Sequence, residues 1–175
     1  CVIIALDKTA DNVVIPEEAR AMAHGLDFSK IKKMTLKTVK FCRNCDYSEL
    51  PETLIIDGCD DIDWSEIQDL AGRVKHIEVI NNKNFVTQDD IVYNKTMTTV
   101  VACLAEKTGM VELPEGVTKI EREAFNYCKI NSVKFPSTLR LISDNAFADC
   151  ENLRTIDFGC GLTHVGSSVS WYTFA

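Results

Sequence analysis

Val111-Glu112-Leu113-Pro114, followed by Val117, Ile120, Ala124-Phe125 and Cys128, is answered by Val133-Lys134-Phe135-Pro136, followed by Leu139, Ile142, Ala146-Phe147 and Cys150. The second copy starts 133 − 111 = 22 residues after the first. A third, Ile156-Asp157-Phe158 with Leu162 and Val165, starts 156 − 133 = 23 residues later. Apolar and Cys positions thus recur in step. Self-similarity at such a period marks a solenoid, in which each unit buries its apolar face only by stacking on its neighbours.

Each unit opens on a short alternating strand. In Val133-Lys134-Phe135 the outer two side chains share one face and Lys134 takes the other. Proline then ends the strand, because it has no N–H for a ladder. Later apolar positions, such as Leu139, Ile142 and Phe147, bring the chain back along the far side and into the same interior.

The N-terminal half keeps the beat without the full pattern. Val13-Val14-Ile15, Met34-Thr35-Leu36, Leu54-Ile55-Ile56 and Ile77-Glu78-Val79 are strand candidates at offsets of 21, 20 and 23 residues. An apolar residue three before the strand recurs at Ile31, Val74, Ile130 and Leu153. About seven units follow from this spacing. One interval, 111 − 77 = 34, is too long. Its surplus holds Ile91-Val92-Tyr93 and Thr99–Leu104 around Asn94-Lys95-Thr96, which predicts a β-hairpin inserted in the array. Trp64 to Leu70 predicts a short helix with Ser65 as N-cap and Ile67, Leu70 and Val74 on its buried stripe.

The expected fold is therefore a strand-rich α/β repeat solenoid of the leucine-rich-repeat type, with one parallel sheet and an inserted β-hairpin. Residues 1–175 read as a single array: degenerate repeats over 1–84, the hairpin over 85–105, and well-formed repeats over 106–175. The last stretch, Ser168 to Ala175, departs from the pattern. Either the array is cut there, or Trp171, Tyr172 and Phe174 cap its open core face.

Composition narrows the function. Apolar residues make up 46% of the 175, enough for a continuous core. With 19 Lys and Arg against 26 Asp and Glu, the net charge of −7 lacks the basic face of a nucleic-acid binder. No apolar run approaches the roughly 18–20 residues of a membrane span. The chain opens on Cys1 rather than Met, so it reads as part of a longer protein, with a mature lipoprotein start as the alternative.

The rhythm from Val111 to Cys150 resembles the BspA-like leucine-rich repeat family, and the stretch from Phe85 to Leu104 resembles a feature that often precedes such arrays. The resemblance is specific over about residues 85–165. It implies a right-handed solenoid used for adhesion or protein binding, often on microbial surfaces and beside other modules. A cell-surface or secreted setting is thereby implied, while the residues themselves also allow a cytoplasmic one. No catalytic motif comes with it, and no cofactor or metal is expected.

Candidate chemistry is sparse. Cys42-Arg43-Asn44-Cys45 has paired spacing, but a zinc ribbon needs a second pair, and only Cys59 and His76 are near in sequence. A redox or disulfide role for that pair and plain thiols remain the alternatives. Cys128 and Cys150 hold equivalent repeat positions, as small apolar residues in a ladder or as disulfide partners. His24, His76 and His164 fall in distant units, without a nucleophile–base arrangement. Asp60-Asp61-Ile62-Asp63 resembles a calcium-loop fragment but lacks the loop's Gly and closing Glu. Asn94-Lys95-Thr96 fits a glycan acceptor triplet.

The remaining candidate is a surface. The middle residue of each strand faces outward, so Val14, Thr35, Ile55, Glu78, Glu112, Lys134 and Asp157 should form a ladder, flanked by Lys33, Lys37, His76 and Thr155. Thr35, Ile55, Glu78, Glu112, Lys134 and Asp157 are the expected ligand-binding positions. The expected function is non-enzymatic binding of a macromolecule, a protein ahead of a glycan. A structural spacer positioning other domains is the alternative.

Overall fold

The structure, a computed structural model, describes residues 11–19, 31–38 and 50–167. Strands β1 (Asn12–Ile15), β2 (Lys33–Leu36), β3 (Thr53–Asp57) and β4 (His76–Ile80) pair in parallel, in that order. Their register sets Val13, Met34, Leu54 and Ile77 side by side, and likewise Ile15, Leu36, Ile56 and Val79. Those two rows are buried, because alternation turns them to one face. The faint N-terminal periodicity is thus a physical register.

Between β3 and β4 the return path is helix α1 (Trp64–Ala71). Its N-cap is Asp63, two residues before the expected Ser65. Asp63 Oδ1 accepts from the backbone N–H of Ser65 and Glu66 at 2.9 Å each, and Glu66 Oε2 accepts from Asp63 N–H at 3.0 Å. This reciprocal box satisfies donors that the first helical turn leaves open. A Ser65 cap would forfeit it. Ile67, Leu70 and Ala71 face the interior, and Val74 just beyond is buried with them.

The hairpin lies where the long interval placed it, with one strand more than expected. Strands β5 (Phe85–Gln88), β6 (Ile91–Asn94) and β7 (Thr99–Cys103) run antiparallel. Asp89 and Asp90, at φ 50° and 57°, form the two-residue turn between β5 and β6. Left-handed residues at both central positions match the twist of a hairpin. Asn94 closes the second turn: its Oδ1 accepts from Thr98 N at 2.9 Å and Thr99 N at 3.0 Å, and its Nδ2 donates to Thr98 Oγ1 at 3.0 Å. The triplet that looked like a glycan acceptor spends its amide on the turn.

Beyond the hairpin the repeats are regular. Strands β8 (Thr108–Glu112), β10 (Lys129–Lys134) and β12 (Thr155–Asp157) form a parallel sheet that sets Val111, Val133 and Ile156 side by side. On the return side, β9 (Lys119–Ile120), β11 (Leu141–Ile142) and β13 (His164–Val165) pair in parallel and continue the sheet from β7. The chain is a strand-rich solenoid with little helix. Its strand face comes as two parallel sheets rather than one unbroken run, since β5 to β7 stand between β4 and β8.

The hairpin is a partition more than an appendage. Val92, Val101, Ala102 and Leu104 pack into an N-terminal core with Leu54, Ile56, Ile67 and Val79. Ile91, Tyr93, Val100 and Cys103 pack into a C-terminal core with Val111, Phe125, Val133 and Phe147. Strands covered on both faces read as continuous apolar runs. Ile91-Val92-Tyr93 and Val100 to Leu104 are such runs. In the C-terminal core Phe125 and Phe147, one repeat apart, stack with centroids 4.7 Å apart and planes at 12°.

Candidate functional site

The outward row of the C-terminal sheet is in register: Glu112 lies beside Lys134, and Lys134 beside Asp157. All three are exposed. Lys134 Nζ meets Glu112 Oε1 at 2.6 Å, and the Glu112 carboxylate, with Asp157 and Glu115 further off, holds its ammonium above the ordinary lysine value. The parallel row Met110, Ser132 and Thr155 adds an apolar element, with Met110 64% exposed. In the N-terminal sheet Val14, Thr35, Ile55 and Glu78 are neighbours in that order. Val14 is 57% exposed, Thr35 is half-buried and Glu78 is exposed.

Ile55 does not fit the expected display. It is only 6% exposed, although it stands outside the core cluster to which Leu54 and Ile56 belong. Alternation fixes which face a side chain takes; it does not fix whether that face is open. Nor is the ladder continuous from Glu78 to Glu112, which belong to different sheets.

Polar links between coils repeat at the period of the fold. Lys32 pairs with Asp11, Lys75 with Glu52, Lys83 with Asp60 and Lys129 with Glu106. Glu115 accepts from Ser137 N and Oγ at 3.0 Å each, which lowers its carboxyl below the ordinary value. Asp60 and Asp63 of the calcium-like fragment are engaged in this way: Asp60 accepts Lys83 N–H at 2.9 Å, and Asp63 caps α1. Among the described residues no three His, Cys, Asp or Glu are placed to hold a metal ion.

The described cysteines form no disulfide with one another. Cys59 Sγ donates to Leu36 O at 3.2 Å, Cys128 Sγ to Leu104 O at 3.3 Å, and Cys150 Sγ to Phe125 O at 2.9 Å. Each thiol bridges to the coil before it. Burial pushes the thiols of Cys59 and Cys150 up to about 12. Cys128 shifts upward too, through a hydrogen bond with Cys103 and through burial. Cys128 and Cys150 thus behave as ladder residues and are not bonded to each other. Asn82 stands 23 residues after Cys59 and does the same work: its Nδ2 donates to Cys59 O at 2.8 Å, while its Oδ1 accepts from Asn84 N and Phe85 N. Leu54-x-Ile56-x-x-Cys59 and Ile77-x-Val79-x-x-Asn82 therefore carry the apolar-x-apolar-x-x-Asn/Cys motif of a leucine-rich repeat. Sequence reading had credited this half with periodicity alone. Cys42, Cys45, His24 and the end-cap residues Trp171, Tyr172 and Phe174 lie outside the described residues. His76 is exposed, 3.3 Å from Asp90 Oδ1, and His164 is exposed on β13.

A cleft of about 470 Å³ opens on the far side, between α1 and the turn 122–127. Gln68 Nε2 braces it, donating to Val101 O at 2.8 Å and Arg122 O at 2.7 Å. Trp64 and Tyr127 line it, 46% and 63% exposed. Arg73 and Arg122 face it together with Asp69 and Glu123. Sequence reading passed over this feature. The signal was Tyr127, a large aromatic where the next repeat has Asp149.

Residues 103–173 match the BspA type leucine rich repeat region (6 copies). The repeats of this segment are of the BspA leucine-rich type. The BspA-type array agrees with the solved structures that share its fold. One is a leucine rich cell surface protein from Faecalibacterium prausnitzii, 18% identical, TM-score 0.51, matched over 87% of this chain and 42% of that one. Another is the pneumococcal vaccine antigen PcpA, 15% identical, TM-score 0.53, matched over 89% of this chain and 46% of that one. The chain therefore spans less than half the length of either. No curated protein matches the sequence. Among the described residues, no helix is long and apolar enough to cross a membrane.

Proposed function

We propose that the strand-lined face binds a protein partner, so that the chain serves as a non-enzymatic recognition module within a longer, surface-exposed or secreted protein. The observation that carries this reading is the register of Met110, Glu112, Ser132, Lys134, Thr155 and Asp157 on one parallel sheet. They make a broad, shallow display with both charge signs and one prominent apolar side chain. Such a mixture suits a protein surface, whose recognition combines an apolar anchor with a polar rim. It does not suit a polyanion, whose affinity comes from neutralising phosphates. Thr35 and Glu78 extend the display on the N-terminal sheet, and Ile55, being covered, serves the fold. Family membership and the surface-protein neighbour support adhesion as the setting, with residues 1–175 acting as one array.

A spacer is the second reading, favoured by the Lys134–Glu112 pair, which already satisfies two of the face's charges. Pull-down with the intact parent protein separates the two. Reversing the charges of Glu78, Glu112 and Lys134 together should abolish partner capture if the face binds. Capture that survives in a folded variant would make the array an inert spacer.

A further inference from the structure

We propose that the cleft between α1 and the turn 122–127 is a saccharide-binding site, taking a neutral hexose or N-acetylhexosamine ring of an oligosaccharide. This assignment does not rest on the strand face, which lies elsewhere on the solenoid.

The lining has the composition that such a ring needs. A pyranose presents an apolar C–H face and a rim of hydroxyls that both donate and accept. Trp64 and Tyr127 supply aromatic platforms, and their rings do not stack on each other. Neither side chain hydrogen-bonds to a described residue, so the indole N–H and the phenol are open for ligand hydroxyls. An apolar body with a polar tip is what makes these two residue types useful where a surface is half wet. Around them the two arginines are balanced by the two carboxylates. The cleft thus has no net charge with which to draw a phosphate or a strongly charged peptide, yet it offers donors and acceptors in planar pairs. Its volume of about 470 Å³ is within the range of about 300–1,000 Å³ typical of small-molecule sites.

Two further observations favour a ligand over chance. Asn126 lines the cleft, and its Oδ1 is covered without any hydrogen-bond partner. A turn of that amide would bring the acceptor to the cleft, where a ligand hydroxyl would satisfy it, and an unmade buried bond gains most from a new donor. Backbone conformation also sets this turn apart from the next. Glu123 and Tyr127 both have φ of 60°, in the left-handed region, while the matching residues one coil on are Asn145 and Asp149 at 55° and 54°. Asn and Asp tolerate that region; a bulky Tyr is disfavoured there. The repeat thus keeps a costly residue at a turn where it lines a cleft, as strain tends to collect at binding sites.

The test uses the full chain on an array of neutral oligosaccharides built from hexose and N-acetylhexosamine units, with calorimetric titration of those retained. Two variants accompany it: Trp64→Ala, and Tyr127→Asp, which copies the next coil and relaxes the backbone. At least one oligosaccharide should bind saturably. Each variant should weaken it about ten-fold or more, the loss typical of an aromatic anchor, with the melting temperature of Tyr127→Asp unchanged or raised. No binding across the array, or undiminished binding in either variant, would overturn the assignment.

Discussion

Replacing Phe125 by Ala should destabilise the C-terminal core more than any single surface change. Its ring is fully buried and lies flat against Phe147, 4.7 Å away, inside a cluster that also holds Val111, Val133 and Phe135. Emptying such a site costs about 3–5 kcal/mol in transfer and cavity terms. The stacked pair contributes about 0.5–1.5 kcal/mol of that. Two controls locate the effect. Phe158 is half-buried and touches Phe135 edge-on at 5.8 Å, so Phe158→Ala should cost only about 1–1.5 kcal/mol, near half of a full burial. In a double-mutant cycle, Phe125 and Phe147 should couple by about 0.5–1.5 kcal/mol, whereas Phe125 and Phe158 should be additive. Urea unfolding of the full chain, followed by circular dichroism and by tryptophan fluorescence together, gives each value by linear extrapolation. A cost for Phe125→Ala below about 1.5 kcal/mol, well under the usual core range, would refute the shared interior on which the solenoid depends.

Site-resolved alkylation at neutral pH should label Cys160, which is exposed, and spare Cys59, Cys103, Cys128 and Cys150 until the chain unfolds. Rapid labelling of Cys150 would disprove the thiol ladder. Of these thiols, Cys59 and Cys150 set an alkaline limit. Their folded values lie above the ordinary 9.0, so their contribution is whole below pH 9 and is lost as pH rises toward about 12. Melting temperature should therefore fall over that window, and a flat profile would count against it. On the acid side Glu52, Asp57, Asp60 and Glu115 are lowered by Lys75, Asn81, Lys83 and Ser137 respectively. Their support is present above the ordinary values of 3.8–4.5 and disappears as pH drops through the lowered ones; salt should weaken the share that Lys75 and Lys83 give to Glu52 and Asp60. Asp63→Ala, measured by urea unfolding, should cost about 1 kcal/mol through the lost cap. Asn82→Ala should cost more, about 1–3 kcal/mol, because it strands the buried Cys59 carbonyl and two part-buried backbone N–H groups.

Most of the fold was legible because a solenoid writes its register into the sequence as spacing. Val111, Val133 and Ile156, or Val13, Met34, Leu54 and Ile77, could be aligned by counting, and the pairing followed. What escaped was set by contacts that counting does not see. Strand β5 was missed because its turn uses Asp89-Asp90 where a glycine or asparagine would have advertised a hairpin. The cap of α1 was misplaced since both Asp63 and Ser65 are good caps, and only Glu66 three residues on decides between them. Ile55 was counted as open because alternation says which side, not what covers it. The outer ladder was legible as a row of positions, while the far-side cleft needed α1 and the turn 122–127, remote in sequence, to be brought together.

The two-faced hairpin bears on how such proteins can change length. Downstream of Cys128, one coil looks much like the next, so adding or deleting a 22- or 23-residue unit leaves every survivor with equivalent company. The partition has no such freedom, since removing β6 and β7 would bare Leu54 and Ile67 on one side and Val111 and Phe125 on the other. Duplication and loss should therefore be tolerated on the C-terminal flank and purged at residues 91–103.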